Sequence, residues 1–65
     1  MQDTVAAEER LAYSVEETAR LLSISRAYAW SLVRSGELPS VRIGGRVLVR
    51  RSRLEEWLDT LETID

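Results

Sequence analysis

The only basic side chains in this 65-residue chain are nine arginines; lysine and histidine are absent. A guanidinium stays charged at all working pH values. It presents its N–H donors as a planar fork that matches a phosphate or the outer edge of guanine. Seven of the nine (Arg26, Arg34, Arg42, Arg46, Arg50, Arg51 and Arg53) fall in residues 26–53, where Glu37 is the sole acid. Acids crowd both flanks: Asp3, Glu8, Glu9, Glu16 and Glu17 before this stretch, and Glu55, Glu56, Asp59, Glu62 and Asp65 after it. The net charge of −2 therefore conceals a basic middle. A one-signed concentration of this kind is the footprint of a polyanion binder. The exclusive use of arginine is explained equally well by codon usage.

Other chemistries find little support. The neighbouring carboxylates Glu16-Glu17 and Glu55-Glu56 suggest acid–base work, but adjacent helical positions diverge by about 100° and do not share a site. They are expected to be solvated helix faces, so no enzyme activity is expected. The absence of Cys and His rules out disulfides and leaves zinc without its usual ligands. No metal, cofactor or small-molecule ligand is expected. No apolar run approaches the roughly 18 residues of a membrane span, and the N-terminus has no basic segment followed by an apolar one. The reading is a soluble cytoplasmic protein with no membrane partner.

The elements that must position the arginines can be read in order. Residues 1–10 show no apolar period and are expected to be a flexible extension, with the folded domain over 11–62 and a short tail at 63–65. Leu11 and Tyr13 are expected to bring the chain onto the core. Ser14 and Glu17 form an S-x-x-E capping box, opening a first helix with Val15, Ala19 and Leu22 on its buried stripe. Ser23-Ile24-Ser25 is a short turn, with Ile24 as an apolar plug and Ser25 as the next N-cap. A second helix, Arg26 to Ser35, stops at Gly36. Ala29, Leu32 and Val33 face inward, leaving Ala27, Ser31 and Arg34 outward with Tyr28 and Trp30 on the margins. Two helices joined by so short a turn read as a helix-turn-helix.

Past Pro39 a hairpin forms around Gly44-Gly45. A two-residue loop pairs Ile43 with Arg46; a three-residue loop pairs Ile43 with Val47. The second is preferred, because it collects Val41, Ile43, Val47 and Val49 on one buried face and turns Arg42 and Leu48 outward. Ser52 and Glu55 predict a further capping box, and Leu54, Trp57, Leu58 and Leu61 form the stripe of a third helix lying as a lid on the core. The fold class is mainly α with a small β-hairpin: a winged helix-turn-helix.

The candidate contacts come from this placement. Arg26 and Arg34 suit phosphate or guanine edges; the alternative is a solvated face or an ion pair with Glu37. Arg42 and Arg46 flank Gly44 and Gly45, whose slim backbone lets an arginine enter a narrow minor groove. Tyr28 and Ser31 suit phosphate or base edges, and Ala27 a thymine methyl. Trp30 either wedges on the sugar-phosphate backbone or packs at the core margin. Arg50, Arg51 and Arg53 lie at the start of the third helix, divided between phosphate contact and simple exposure. All of this requires Arg26, Arg34, Arg42 and Arg46 to converge on one surface.

The sequence resembles the excisionase-like DNA-binding domains, part of the MerR-like group of winged helix-turn-helix proteins. The matching residues are S-V-E-E-T-A-R-L-L (14–22), I-S-R (24–26), L-V-R-S-G-E-L-P (32–39), V-R-I-G (41–44) and R-S-R-L-E-E-W-L (51–58). The resemblance implies double-stranded DNA as the partner, a recognition helix in the major groove and a wing on the adjacent minor groove or backbone. It further implies a recombination directionality factor that bends attachment-site DNA and directs an integrase toward excision, or a small transcriptional regulator. Ser23 stands where the family usually has Gly, and Ala27, Ser31, Gly45 and Leu48 stand where basic residues are common. That thinner basic face leaves a protein-interaction module as the alternative use of the fold. Acidic residues near the C-terminus of one copy also match the basic middle of another, so head-to-tail self-association on DNA is expected.

Overall fold

The computed structural model describes residues 10–62. The expected extension at 1–10 and tail at 63–65 therefore lie outside the described residues, except for Arg10. The elements run β1 (Ala12–Ser14), α1 (Val15–Leu22), α2 (Arg26–Ser35), β2 (Val41–Ile43), β3 (Arg46–Arg50) and α3 (Arg51–Glu62). No helix among the described residues is long and apolar enough to cross a membrane.

The first helix starts as its capping chemistry dictates. The Glu17 amide donates to Ser14 Oγ at 3.0 Å and the Ser14 amide donates to Glu17 Oε1 at 2.9 Å. The Arg10 guanidinium bonds the same carboxylate and lies over the Tyr13 ring, 5.6 Å from its centre. Thr18, fully buried, satisfies its hydroxyl on the Ser14 carbonyl at 2.8 Å. The helix ends in a left-handed turn at Ser23 (φ 61°). There the Ile24 amide returns to the Ala19 carbonyl at 3.0 Å and the Ser23 amide to Arg20 at 3.2 Å. These two reverse bonds satisfy the last carbonyls of the helix. Ser25 then caps α2 by accepting from the Tyr28 amide at 3.0 Å, and Gly36 (φ 86°) ends it.

Ala19 and Ala29, both essentially buried, form the seam between α1 and α2, with Val15 beside them. Tyr13, Leu32, Leu38, Val49 and Leu54 make the second part of the core, and Ile24 and Val33 touch both parts.

The sheet departs from the expected two-stranded wing. It has three antiparallel strands in the order β1-β3-β2. Tyr13 pairs with Val49 and Ser14 with Leu48, so Ser14 closes a strand and caps a helix at once. Three residues are too few to carry a period, which is why β1 leaves no trace in the pattern. The preferred hairpin register is also overturned: Ile43 pairs with Arg46, Arg42 with Val47 and Val41 with Leu48. The loop is Gly44-Gly45 alone, both at positive φ (57° and 83°), the two-residue turn whose twist matches that of its strands. The burial argument for the other register assumed that the whole hairpin lies on the core. Instead it reaches past the core, so Arg42 shares a face with Val47 without being buried and Ile43 is 60% exposed.

Two further expectations fail. Leu11 is 85% exposed rather than anchored. The Ser52–Glu55 capping box does not form, because β3 runs straight into α3 and the Arg51 amide is satisfied by the Leu11 carbonyl at 2.8 Å. On α3, Leu54 is buried and Trp57 half-buried, but Leu58 and Leu61 remain exposed. The helix docks by its first turns and covers the core only in part.

Two stability measurements check this account. Ser23→Gly, at a left-handed position open to glycine, is expected to raise stability by about 0.5–1 kcal/mol in chemical denaturation; an unchanged or lowered midpoint contradicts the strain. The Glu17 carboxyl is held below the ordinary glutamate range, first by Arg10 and then by the Ser14 amide. The stability it confers is therefore complete above that range and lost as pH falls through the lowered value. Acid-induced unfolding of Glu17→Gln is expected to depend less on pH in that window than that of the wild type.

Candidate nucleic-acid interface

The outward side of α2 is set by its inward one. Because Ala29 and Leu32 are fixed in the core, Arg26, Ala27, Trp30 and Arg34 must emerge together. They line one open depression of about 430 Å³. A second depression, about 300 Å³, adjoins it: Trp30, Val33 and Arg34 form one wall, and Ser40, Val41, Arg42 and Val47 form the other. The two share Trp30 and Arg34, so a continuous surface runs from the first turn of α2 to the inner face of the wing. No acid among the described residues lines either depression. Among the described residues, Arg34, Arg42, Arg46 and Arg50 make no ion pair.

Arg26 does have a partner, and it is Glu16 of α1, not Glu37, one of the alternatives to a DNA contact. Arg26 Nε donates to Glu16 Oε2 at 3.2 Å, and the Trp30 indole donates to the same oxygen at 3.4 Å. The Glu16 carboxyl is held below the ordinary glutamate range, first by its own backbone N–H, then by the Trp30 indole and the Arg26 guanidinium. Trp30 is half-buried against Val15, Ala19 and Ala29, so it packs at the core margin while one edge borders both depressions.

The remaining candidates lie elsewhere. Tyr28 is exposed but borders a different groove, with Leu22, Ile24, Leu32, Trp57, Leu58 and Leu61. Ser31 is exposed, its hydroxyl donating to the Tyr28 carbonyl at 2.7 Å. Gly44 and Gly45 form the wing tip, and an added Cβ on either would meet nothing within 4 Å. Directly across from Ile43, Arg46 projects from the face opposite Arg42. Convergence is thus complete for Arg26, Arg34 and Arg42, whereas Arg46 stands at the tip on the far side. Arg50 borders a cleft with Pro39, Ser40, Val41 and Arg53. Arg51 is turned toward Glu55 on its own helix, Nε to Oε2 3.8 Å.

Residues 12–61 match a helix-turn-helix domain family. The chain belongs to it. A probable excisionase of Saccharopolyspora erythraea is 38% identical over 48 residues, covering 74% of this chain and 49% of that protein. The chain thus spans about half the length of this curated relative. No solved structure gives a significant match. The two matches bear out the excisionase-like helix-turn-helix reading of the sequence.

Sequence reasoning missed Glu16, Ser40 and Val47. Glu16 meets residues ten and fourteen positions away, and no local period records a contact across the turn between two helices. Ser40 and Val47 became visible only when the register was known. The shared oxygen makes a spectroscopic prediction. The Trp30 indole N–H resonance is expected to shift with a midpoint below the ordinary glutamate range, and this transition should vanish in Glu16→Gln. A Trp30 resonance that ignores acidification contradicts the hydrogen bond.

Proposed function

We propose that this domain binds double-stranded DNA with α2 in the major groove and the β2–β3 wing against the neighbouring backbone or minor groove. We propose further that it serves as an excisionase-type factor, binding and bending attachment-site DNA to direct an integrase toward excision. The observation that carries the reading is the surface from Arg26 through Arg34 to Arg42, where Glu16 pairs with Arg26 while Arg34 and Arg42 have no acidic partner among the described residues. Its two parts, a helix and a projecting hairpin, suit a groove and a flanking phosphate ridge. A flat protein partner would not require that relief. Arg46 at the tip extends the reach of the wing, Arg50 lies behind it, and Ala27 and Trp30 supply the apolar contacts between.

The likeness to a probable excisionase over most of this chain supports the recombination role. An integrase partner and head-to-tail contacts between adjacent copies belong to the same reading. The exposed Leu58 and Leu61, beside Asp59 and Glu62, give α3 an amphipathic face for protein contact while α2 is on DNA.

Mobility-shift titration tests the interface, using a duplex selected by the protein from a random-sequence pool. With about four to six phosphate contacts, affinity should drop roughly 10²- to 10³-fold between about 50 and 200 mM salt. Arg34→Ala and Arg42→Ala should each weaken binding and reduce the salt slope by about 0.9. Arg20→Ala, on α1 and bordering neither depression, should leave both unchanged. Salt-independent binding, or an equal loss from Arg20→Ala, would remove the proposed surface.

A further inference from the structure

We propose that Glu16, on the first helix, is a positioning residue that makes Arg26 a reader of a guanine edge rather than a contact to phosphate. The proposal rests on the DNA-binding surface described above. Glu16 Oε2 accepts both Arg26 Nε–H, at 3.2 Å, and the Trp30 indole N–H, at 3.4 Å. One oxygen from α1 thereby ties together two side chains one turn apart on α2.

The shape of a guanidinium gives this tie its consequence. Its Nε–H points out to one side of the planar group, while the two terminal nitrogens form the end-on fork that pairs with guanine O6 and N7. With Nε–H committed to Glu16, the plane of the fork is set and its outer edge is left free. The half-buried Trp30 ring, packed on the α1–α2 seam, anchors the arrangement from the other side. An untethered arginine on such a surface follows the nearest phosphate. Arg34, bordering the same depression and making no ion pair among the described residues, is of that kind.

Glu16 also carries a charge of the same sign as DNA. Beside Arg26 it weakens approach to every duplex, and only a sequence that satisfies the held fork recovers the loss. Specificity is a difference between two affinities, and this acid acts on both of them. The pair is not placed to stabilise the fold, because Arg26 is 72% exposed and exposed ion pairs contribute little.

The experiment uses the full chain and a duplex it selects from a random pool. That duplex is compared with copies in which each guanine in turn is replaced by 7-deazaguanine, which lacks the N7 acceptor, and with a scrambled duplex. Wild type is expected to lose roughly 5- to 150-fold at one guanine. In Glu16→Ala that penalty should fall below about twofold, while the scrambled duplex binds more tightly and the salt slope steepens by up to about 0.9 as Arg26 moves to phosphate. Glu16→Gln keeps an acceptor for both N–H groups and should retain most of the penalty. Arg26→Ala should abolish it, and Glu16→Ala added to Arg26→Ala should change nothing more at that guanine. A full penalty in Glu16→Ala overturns the proposal. So do independent, multiplying losses from the two substitutions, or salt-dependent binding in which no guanine matters; in each case DNA binding itself still stands. Wild type that binds no duplex in a salt-dependent way overturns both.

Discussion

The distance between α1 and α2 governs everything on the outer side of the molecule. Ala19 and Ala29 leave almost no side chain between the two backbones, and the left-handed Ser23 turns the chain with only three residues between the helices. Larger residues at the seam would hold the helices further apart. Glu16 would then no longer span to Arg26 and Trp30, since its contacts at 3.2 and 3.4 Å have little slack. A packing constraint inside the protein thus sets the position of charged groups on its surface. Glycine at Ser23 would ease the turn, but serine holds the same geometry because two backbone hydrogen bonds close it.

The same constraint separates the charges. With Ala29 and Leu32 buried, the helical spacing leaves Arg26, Ala27, Trp30 and Arg34 as the residues α2 directs into the outer depression. Most acids go to α1 and α3, where Glu55 and Glu56 meet Arg51 and Arg53 within one helix at 3.8 Å. Exposed pairs of that length contribute little to stability. Their effect is to use up arginine charge at the base of α3 and leave the α2–wing surface with the uncompensated share. The net charge of −2 is consequently a poor guide to the field a partner meets at this surface.

Helix boundaries were legible where caps and periods are local. Ser14, Ser25 and Gly36 mark the ends of α1 and α2 through contacts spanning three or four residues, and the structure keeps those ends. Legibility failed where the deciding partner is distant. Ser52 and Glu55 have the same capping letters, yet the Leu11 carbonyl, forty residues upstream, supplies the acceptor at the start of α3. Leu58 and Leu61 continue the apolar stripe past the first turns of α3, yet they border an open groove with Leu22, Ile24, Tyr28 and Leu32 and stay exposed. Glu16 looked like a solvated first-turn acid because its partners lie across the turn.

In the wing, a rule of hydrophobic pattern yields to a rule of turn geometry, and the placement of charge changes with it. Had the loop taken three residues, Val41, Ile43, Val47 and Val49 would share a face and Arg42 would project away from α2. The cleft between α2 and the wing would then be apolar on the wing side. Two consecutive glycines at positive φ favour the shorter loop, and that loop puts Arg42 on the face of Val47, toward Arg34. The cost is an exposed Ile43 and half-covered Val41 and Leu48 on the outer face. Beyond the core this cost is small, since the alternative would bury little there. The register that violates alternation is therefore the one that joins helix and hairpin into a single basic surface.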